Sequence, residues 1–131
     1  MQMALELQLL AGAVLIGLVQ LGWAAAAARA QQGLKWGAGA RDEPRPLAGV
    51  AARLDRALKN FLETFPLFAV LVIVAYLGGK LGELTLWGSV LYVGARALYA
   101  PLYATGVPVV RSLVWFASLV GLGLILTAIF L

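Results

Sequence analysis

The run Ser112–Leu131, SLVWFASLVGLGLILTAIFL, is twenty residues without a single charge. A hydrocarbon core about 30 Å thick needs roughly 20 apolar helical residues to cross it. This stretch therefore reads as a membrane span, and the rest of the chain repeats the pattern. Leu7 to Ala28 carries no charge, only Gln8 and Gln20. Phe61 to Gly79 carries one, Glu63, with a polar helical extension running back towards Val50. Leu84 to Ala95 is uncharged and continues through Arg96 to about Ala104. The apolar runs are continuous, without the period-two alternation of barrel strands. In lipid, backbone groups are satisfied only in helices or closed barrels. The expectation is an all-α, up-down bundle of four transmembrane helices over about 7–28, 58–79, 84–104 and 110–131, in one domain of 131 residues.

Composition agrees. The chain is 63% hydrophobic and 12% charged, with a mean hydropathy of +0.93, whereas a soluble domain carries roughly twice that charge. It has no cysteine and no histidine. That excludes disulfides, thiolate or imidazole metal sites, a Cys nucleophile and a Ser-His-Asp triad. Any chemistry comes from Arg, Lys, Tyr, Asn, Ser, Thr and six carboxylates. The first residues hold Glu6 and no Lys or Arg, so the leading apolar run reads as a retained helix rather than a secretory signal.

Breaker content marks the connections: Gln31–Pro46, then Gly78-Gly79-Lys80, then Thr105–Pro108. Arg29, Lys35, Arg41, Arg45, Arg53, Arg56 and Lys59 lie between the first two apolar cores, and Arg111 borders the third connection. Only Lys80 stands on the other side. Basic residues favour cytoplasmic loops, which puts the first and third connections inside and both termini outside. The net charge of +4 thus reads as a topology signal facing anionic lipid, not as a nucleic-acid patch.

Charges at membrane depth cost at least about 2.5 kcal/mol, so each needs a partner or a task. Arg56, Asn60 and Glu63 share one helical stripe, with Arg53 a turn earlier. The stripe suits a zwitterionic guest with carboxylate and amine groups; it equally suits an internal salt bridge that locks neighbouring helices. Arg96, Tyr99 and Tyr103 share a second face, where the tyrosines read either as interfacial anchors or as ligands. Pro101 removes one helix hydrogen bond. Arg111 opens the fourth helix on the same side. The topology brings these faces to one depth, as a single concave electropositive site.

Arg56-x-x-x-Asn60-x-x-Glu63 followed by Pro66-Leu67-Phe68, together with Arg96-Ala-Leu-Tyr99-Ala-Pro-Leu-Tyr103, resembles the MAPEG family, the membrane-associated proteins in eicosanoid and glutathione metabolism, most closely its short bacterial members. The resemblance covers nearly the whole chain. It implies a homotrimer with glutathione held between subunits near the cytoplasmic face, in a multi-pass protein of the bacterial inner membrane. By family pattern Arg53, Arg56, Asn60, Glu63, Arg96, Tyr99 and Tyr103 line the glutathione pocket, and Arg111 stabilises the thiolate. Thr64 stands where related transferases often carry tyrosine, and Arg111 lies one residue further from Tyr103. The implied activity is a glutathione transferase or peroxidase acting on a lipophilic electrophile that arrives from the membrane, with glutathione as co-substrate and no metal. A small four-helix transporter coupled through Glu63 and a non-catalytic scaffold are the alternatives. Gly12, Gly17, Gly22, Gly121 and Gly123 are candidates for close helix contact.

Overall fold

A computed structural model describes residues 2–131. Its elements in chain order are α1 (Leu5–Gln32), α2 (Leu34–Ala38), α3 (Gly49–Leu77), α4 (Glu83–Thr105) and α5 (Pro108–Phe130). There are no strands among the described residues. At 1.5 Å per residue, the 28 residues of α1 extend about 42 Å, longer than a bilayer core. The polar C-terminal end of α1, from Arg29 to Gln32, therefore projects beyond the apolar region. The first connection is not wholly irregular: α1 continues to Gln32, and α2 forms inside the expected loop. Gly33, at φ +90°, separates the two helices, because only glycine adopts that turn at no steric cost.

Three helices, α1, α3 and α5, are long and apolar enough to cross a membrane. Their outward faces fit that setting: Leu15, Leu18, Val70 and Phe116 are each more than half exposed, which in water would form large sticky patches. The fourth expected span, α4, has the length, 23 residues, but no stretch as apolar as those in the other three. The reason is directional. Thr85, Ser89, Tyr92, Arg96 and Tyr99 recur at alternating steps of four and three and are all buried, while Trp87, Val90 and Leu98 point outward. The polar stripe of α4 is turned into the protein and its outer face is apolar.

The central core comprises Ala13, Phe68, Val72, Ala75, Tyr92, Leu122 and Ile125. Phe68 and Tyr92 stack with ring centroids 4.3 Å apart. The Tyr92 hydroxyl shares a 2.9 Å hydrogen bond with Thr64 Oγ1. Thr64 thus ties α3 to α4. Thr64→Val preserves shape but leaves the phenol without its partner, so thermal unfolding in detergent should show a loss of about 1–3 kcal/mol; an unchanged melting curve would mean the bond contributes nothing.

Among the glycines, close contact falls on fewer positions than the composition suggests. Gly12, Gly22 and Gly123 have open space where a Cβ would stand, whereas Gly17 faces Phe61 and Gly121 faces α4. Gly88, which carries no signal in the sequence, is the partner of Gly121: a Cβ on either would lie 2.7 Å from the other's carbonyl oxygen. The third connection is closed by Gly106 in the left-handed region at φ +78°. Pro108 then occupies the first turn of α5, where its missing N–H is harmless. This tight turn sets Arg111 beside the C-terminal end of α4.

Candidate functional site

The N-terminal half of α3, the C-terminal end of α4 and the N-terminal end of α5 frame an open cavity of about 240 Å³ lined by Asn60, Tyr99, Tyr103, Arg111, Ser112 and Trp115. Asn60 comes from α3, the tyrosines from α4 at a spacing of four, and Arg111, Ser112 and Trp115 from one face of α5. The two tyrosine rings meet edge to face with centroids 5.5 Å apart. The Arg111 guanidinium carbon lies 4.5 Å from the Tyr103 ring centroid. Arg56 approaches the same ring at 5.7 Å, and its Nε donates to the Tyr103 hydroxyl at 3.1 Å. Tyr103 therefore serves as an aromatic bracket between two guanidiniums, favourable because the face of the ring carries the negative end of its quadrupole.

Arg96 stands behind this wall. It is fully buried, its guanidinium carbon 4.3 Å from the Tyr99 centroid and 5.8 Å from that of Phe61. None of its three guanidinium nitrogens has a hydrogen-bond partner among the described residues. Asn60 Oδ1 and Trp115 Nε1 are likewise buried without partners. Buried polar groups are nearly always hydrogen-bonded in a complete assembly. Two of these residues, Asn60 and Trp115, line the cavity, and Arg96 packs on Tyr99 behind it; the other buried groups without partners among the described residues, the Gln20 amide and Ser89 Oγ, lie elsewhere on α1 and α4.

Arg53 has a different position. Its Nε donates to the Ala104 carbonyl at 3.0 Å, which satisfies the end of α4, and it does not line the cavity. Glu63 lies on the exposed side of α3. The two ion pairs among the described residues are Lys59–Asp55 at 3.0 Å and Arg45–Glu43 at 3.9 Å. Neither includes Arg56 or Glu63, so no salt bridge closes the stripe among the described residues. No group of three or more acidic or other metal-ligating side chains occurs among the described residues.

Sequence reasoning missed Ser112 and Trp115. For Trp115 the available signal was position: four residues after Arg111, it shares that residue's helical face. Ser112, one step of 100° round the helix, carried none. It also missed the role of Thr64, whose partner Tyr92 is 28 positions away.

Chemically, the cavity offers guanidinium, phenol, hydroxyl, indole N–H and amide groups, with cations in excess. Such a site suits a guest bearing carboxylates and hydrogen-bonding amides. No curated protein and no solved structure matches the chain. The model of the MAPEG family matches residues 9–131, and on that match, which takes in every helix that builds the cavity, the chain belongs to the MAPEG family of membrane proteins.

Proposed function

We propose that the protein is a glutathione-dependent transferase or peroxidase of the membrane, with α4 as a fourth span and the working unit a homotrimer. The observation that carries this reading is the cavity of α3, α4 and α5, lined by Arg111, Tyr99 and Tyr103 together with Asn60 and Trp115, whose buried polar atoms have no partners among the described residues. Glutathione has two carboxylates, an amine, two amides and a thiol. Arg56, with Arg53 and Arg96 supplying further positive potential, suits the carboxylates; Asn60 and Glu63 suit the amine and amides. The exposed carboxylate of Glu63 and the exposed guanidinium of Arg56 stand on the outer side of α3, where a neighbouring subunit would complete the pocket.

A free thiol with a pKa near 8.5 is mostly protonated at neutral pH, and the thiolate is the nucleophile. A guanidinium within about 4–6 Å favours the ionised form. Arg111 has that role. The thiol proton passes to water, the sulfur forms a bond to carbon of the electrophile, and the leaving group departs with its electron pair. The electrophile enters from the lipid, and the site accelerates the reaction by holding both partners in register. Both termini lie outside the cytoplasm, in a bacterial inner membrane.

Calorimetric titration of the detergent-solubilised protein with glutathione and with S-methylglutathione tests the pocket. Both should bind, with glutathione the tighter. Arg56→Ala should weaken glutathione by about tenfold or more, because a charge-assisted contact contributes about 1.5–3 kcal/mol. A folded Arg56→Ala protein with unchanged affinity would remove Arg56 from the pocket. Absence of binding in the wild type would leave a scaffold or a transporter as the reading.

A further inference from the structure

A second concavity lies where α1 leaves the apolar region, built by the segment Arg29 to Arg41. It has a volume of about 290 Å³ and is separate from the cavity of α3, α4 and α5. Its floor is apolar, with Ala25, Ala28 and Leu34; its rim carries Arg29, Gln32 and Arg41. The floor begins one turn of α1 inside the rim, within the span itself.

This part of the first connection is a built structure. Gln31 both donates to and accepts from the Ala48 backbone, at 2.7 Å and 3.0 Å. Arg45 NH1 donates to the Gln32 carbonyl at 2.7 Å. The Trp36 indole N–H donates to the Glu43 carbonyl at 2.7 Å, and Arg41 and Arg45 flank its ring, each 5.8 Å from the centroid. Arg41 is the one non-glycine residue at positive φ, +60°, among the described residues. That backbone is sterically disfavoured and persists only where its surroundings hold it. Its Nε is occupied by the Gly37 carbonyl at 2.9 Å, and neither Arg41 nor Arg29 takes part in an ion pair among the described residues. Asp42 and Glu43, which follow Arg41 in sequence, are outside the lining, and Glu43 pairs with Arg45.

We propose that this concavity binds an anionic phospholipid, its phosphodiester between Arg29 and Arg41 and the upper part of an acyl chain against Ala25, Ala28 and Leu34. Guanidinium forks match phosphate oxygens in pairs. The apolar floor continues into the span, which fits a lipid and offers nothing to a free anion. The two cations select a headgroup of net negative charge over a zwitterionic one. Leu34, 66% exposed, becomes covered on binding.

The test is native mass spectrometry of the detergent-extracted full chain with phosphatidylglycerol or phosphatidylcholine added. The wild type should retain phosphatidylglycerol about thirtyfold better, which corresponds to about 2 kcal/mol for two basic contacts. Arg29→Gln with Arg41→Gln should abolish that preference. Ala28→Trp, which fills the floor and keeps both arginines, should abolish it too. Lys35→Gln, on the same loop but outside the lining, should leave it intact. Equal loss in Lys35→Gln, full retention in Ala28→Trp, or displacement of the lipid by millimolar inorganic phosphate would each overturn the assignment. Should the double variant fail to fold, the single variants decide.

Discussion

Arg111→Ala is expected to lower the turnover of glutathione conjugation by about a hundredfold to a thousandfold, the range for removing one charge-stabilising donor from a reacting anion. Glutathione affinity should change far less. Arg111 lies in the first turns of α5, at the cavity wall, with its guanidinium carbon 4.5 Å from the Tyr103 ring centroid. The ring fixes the cation in place, and the α5 N-terminus adds positive potential of the same sign. If this charge stabilises the thiolate, its removal raises the barrier more than it weakens the ground-state complex. Turnover then falls while affinity holds. Arg111→Lys keeps the charge without the planar fork and should retain part of the rate. Steady-state assay with an aryl halide, beside calorimetric affinity, separates the outcomes. Equal loss of affinity and rate would make Arg111 a binding residue only, and unchanged turnover would remove it from the reaction.

A large effect on stability is expected at Gly121, greatest for the bulkiest replacement. In a helix interior glycine is about 1 kcal/mol less favourable than alanine, so Gly123→Ala, which meets open space, should be neutral or stabilising. Gly121→Ala should have the opposite sign. Its Cβ would stand 2.7 Å from the Gly88 carbonyl oxygen and 2.9 Å from the Tyr92 backbone nitrogen. Both are backbone atoms, which cannot swing aside as a side chain would. Overpacking of this kind costs about 1–3 kcal/mol, and Gly121→Leu should exceed Gly121→Ala. Separation of α4 from α5 would also shift Arg111 relative to Tyr103, so activity should fall with stability. A thermal melt of Gly121→Ala equal to that of Gly123→Ala would mean the two helices do not meet here.

The legibility of the site differs residue by residue. Asn60, Tyr99, Tyr103 and Arg111 stand out in sequence because polar groups in apolar runs are expensive, and they line one cavity. Arg96 stands out for the same reason, yet lies behind Tyr99 rather than at the cavity surface. Helical periodicity assigns a face, not a depth. Arg53 shares the Arg56 stripe but serves the Ala104 carbonyl, a partner 51 positions away that no local pattern names. Ser112 is an ordinary residue in a membrane helix until the turn at Gly106 brings it to the cavity that Asn60 also lines. Gly88 was invisible for a similar reason. A glycine's value depends on what lies opposite, and its partner Gly121 is in the next helix.

The amino-acid order by itself determined that the chain is helical and membrane-directed, because unbroken apolar runs leave the backbone no other way to satisfy its hydrogen bonds in lipid. It also determined where the costly polar groups lie along each helix, since that is a matter of spacing. The tertiary structure decided the rest. Only packing turned the polar stripe of α4 inward, which explains how a helix with polar groups along its whole length presents an apolar outer face. Only packing chose Gly88 and Gly121 as the contact between α4 and α5, and closed Asn60, Tyr103 and Arg111 around one space. Those are relations between distant segments, set by the shapes that meet, and shape complementarity is not written in any single stretch of the chain.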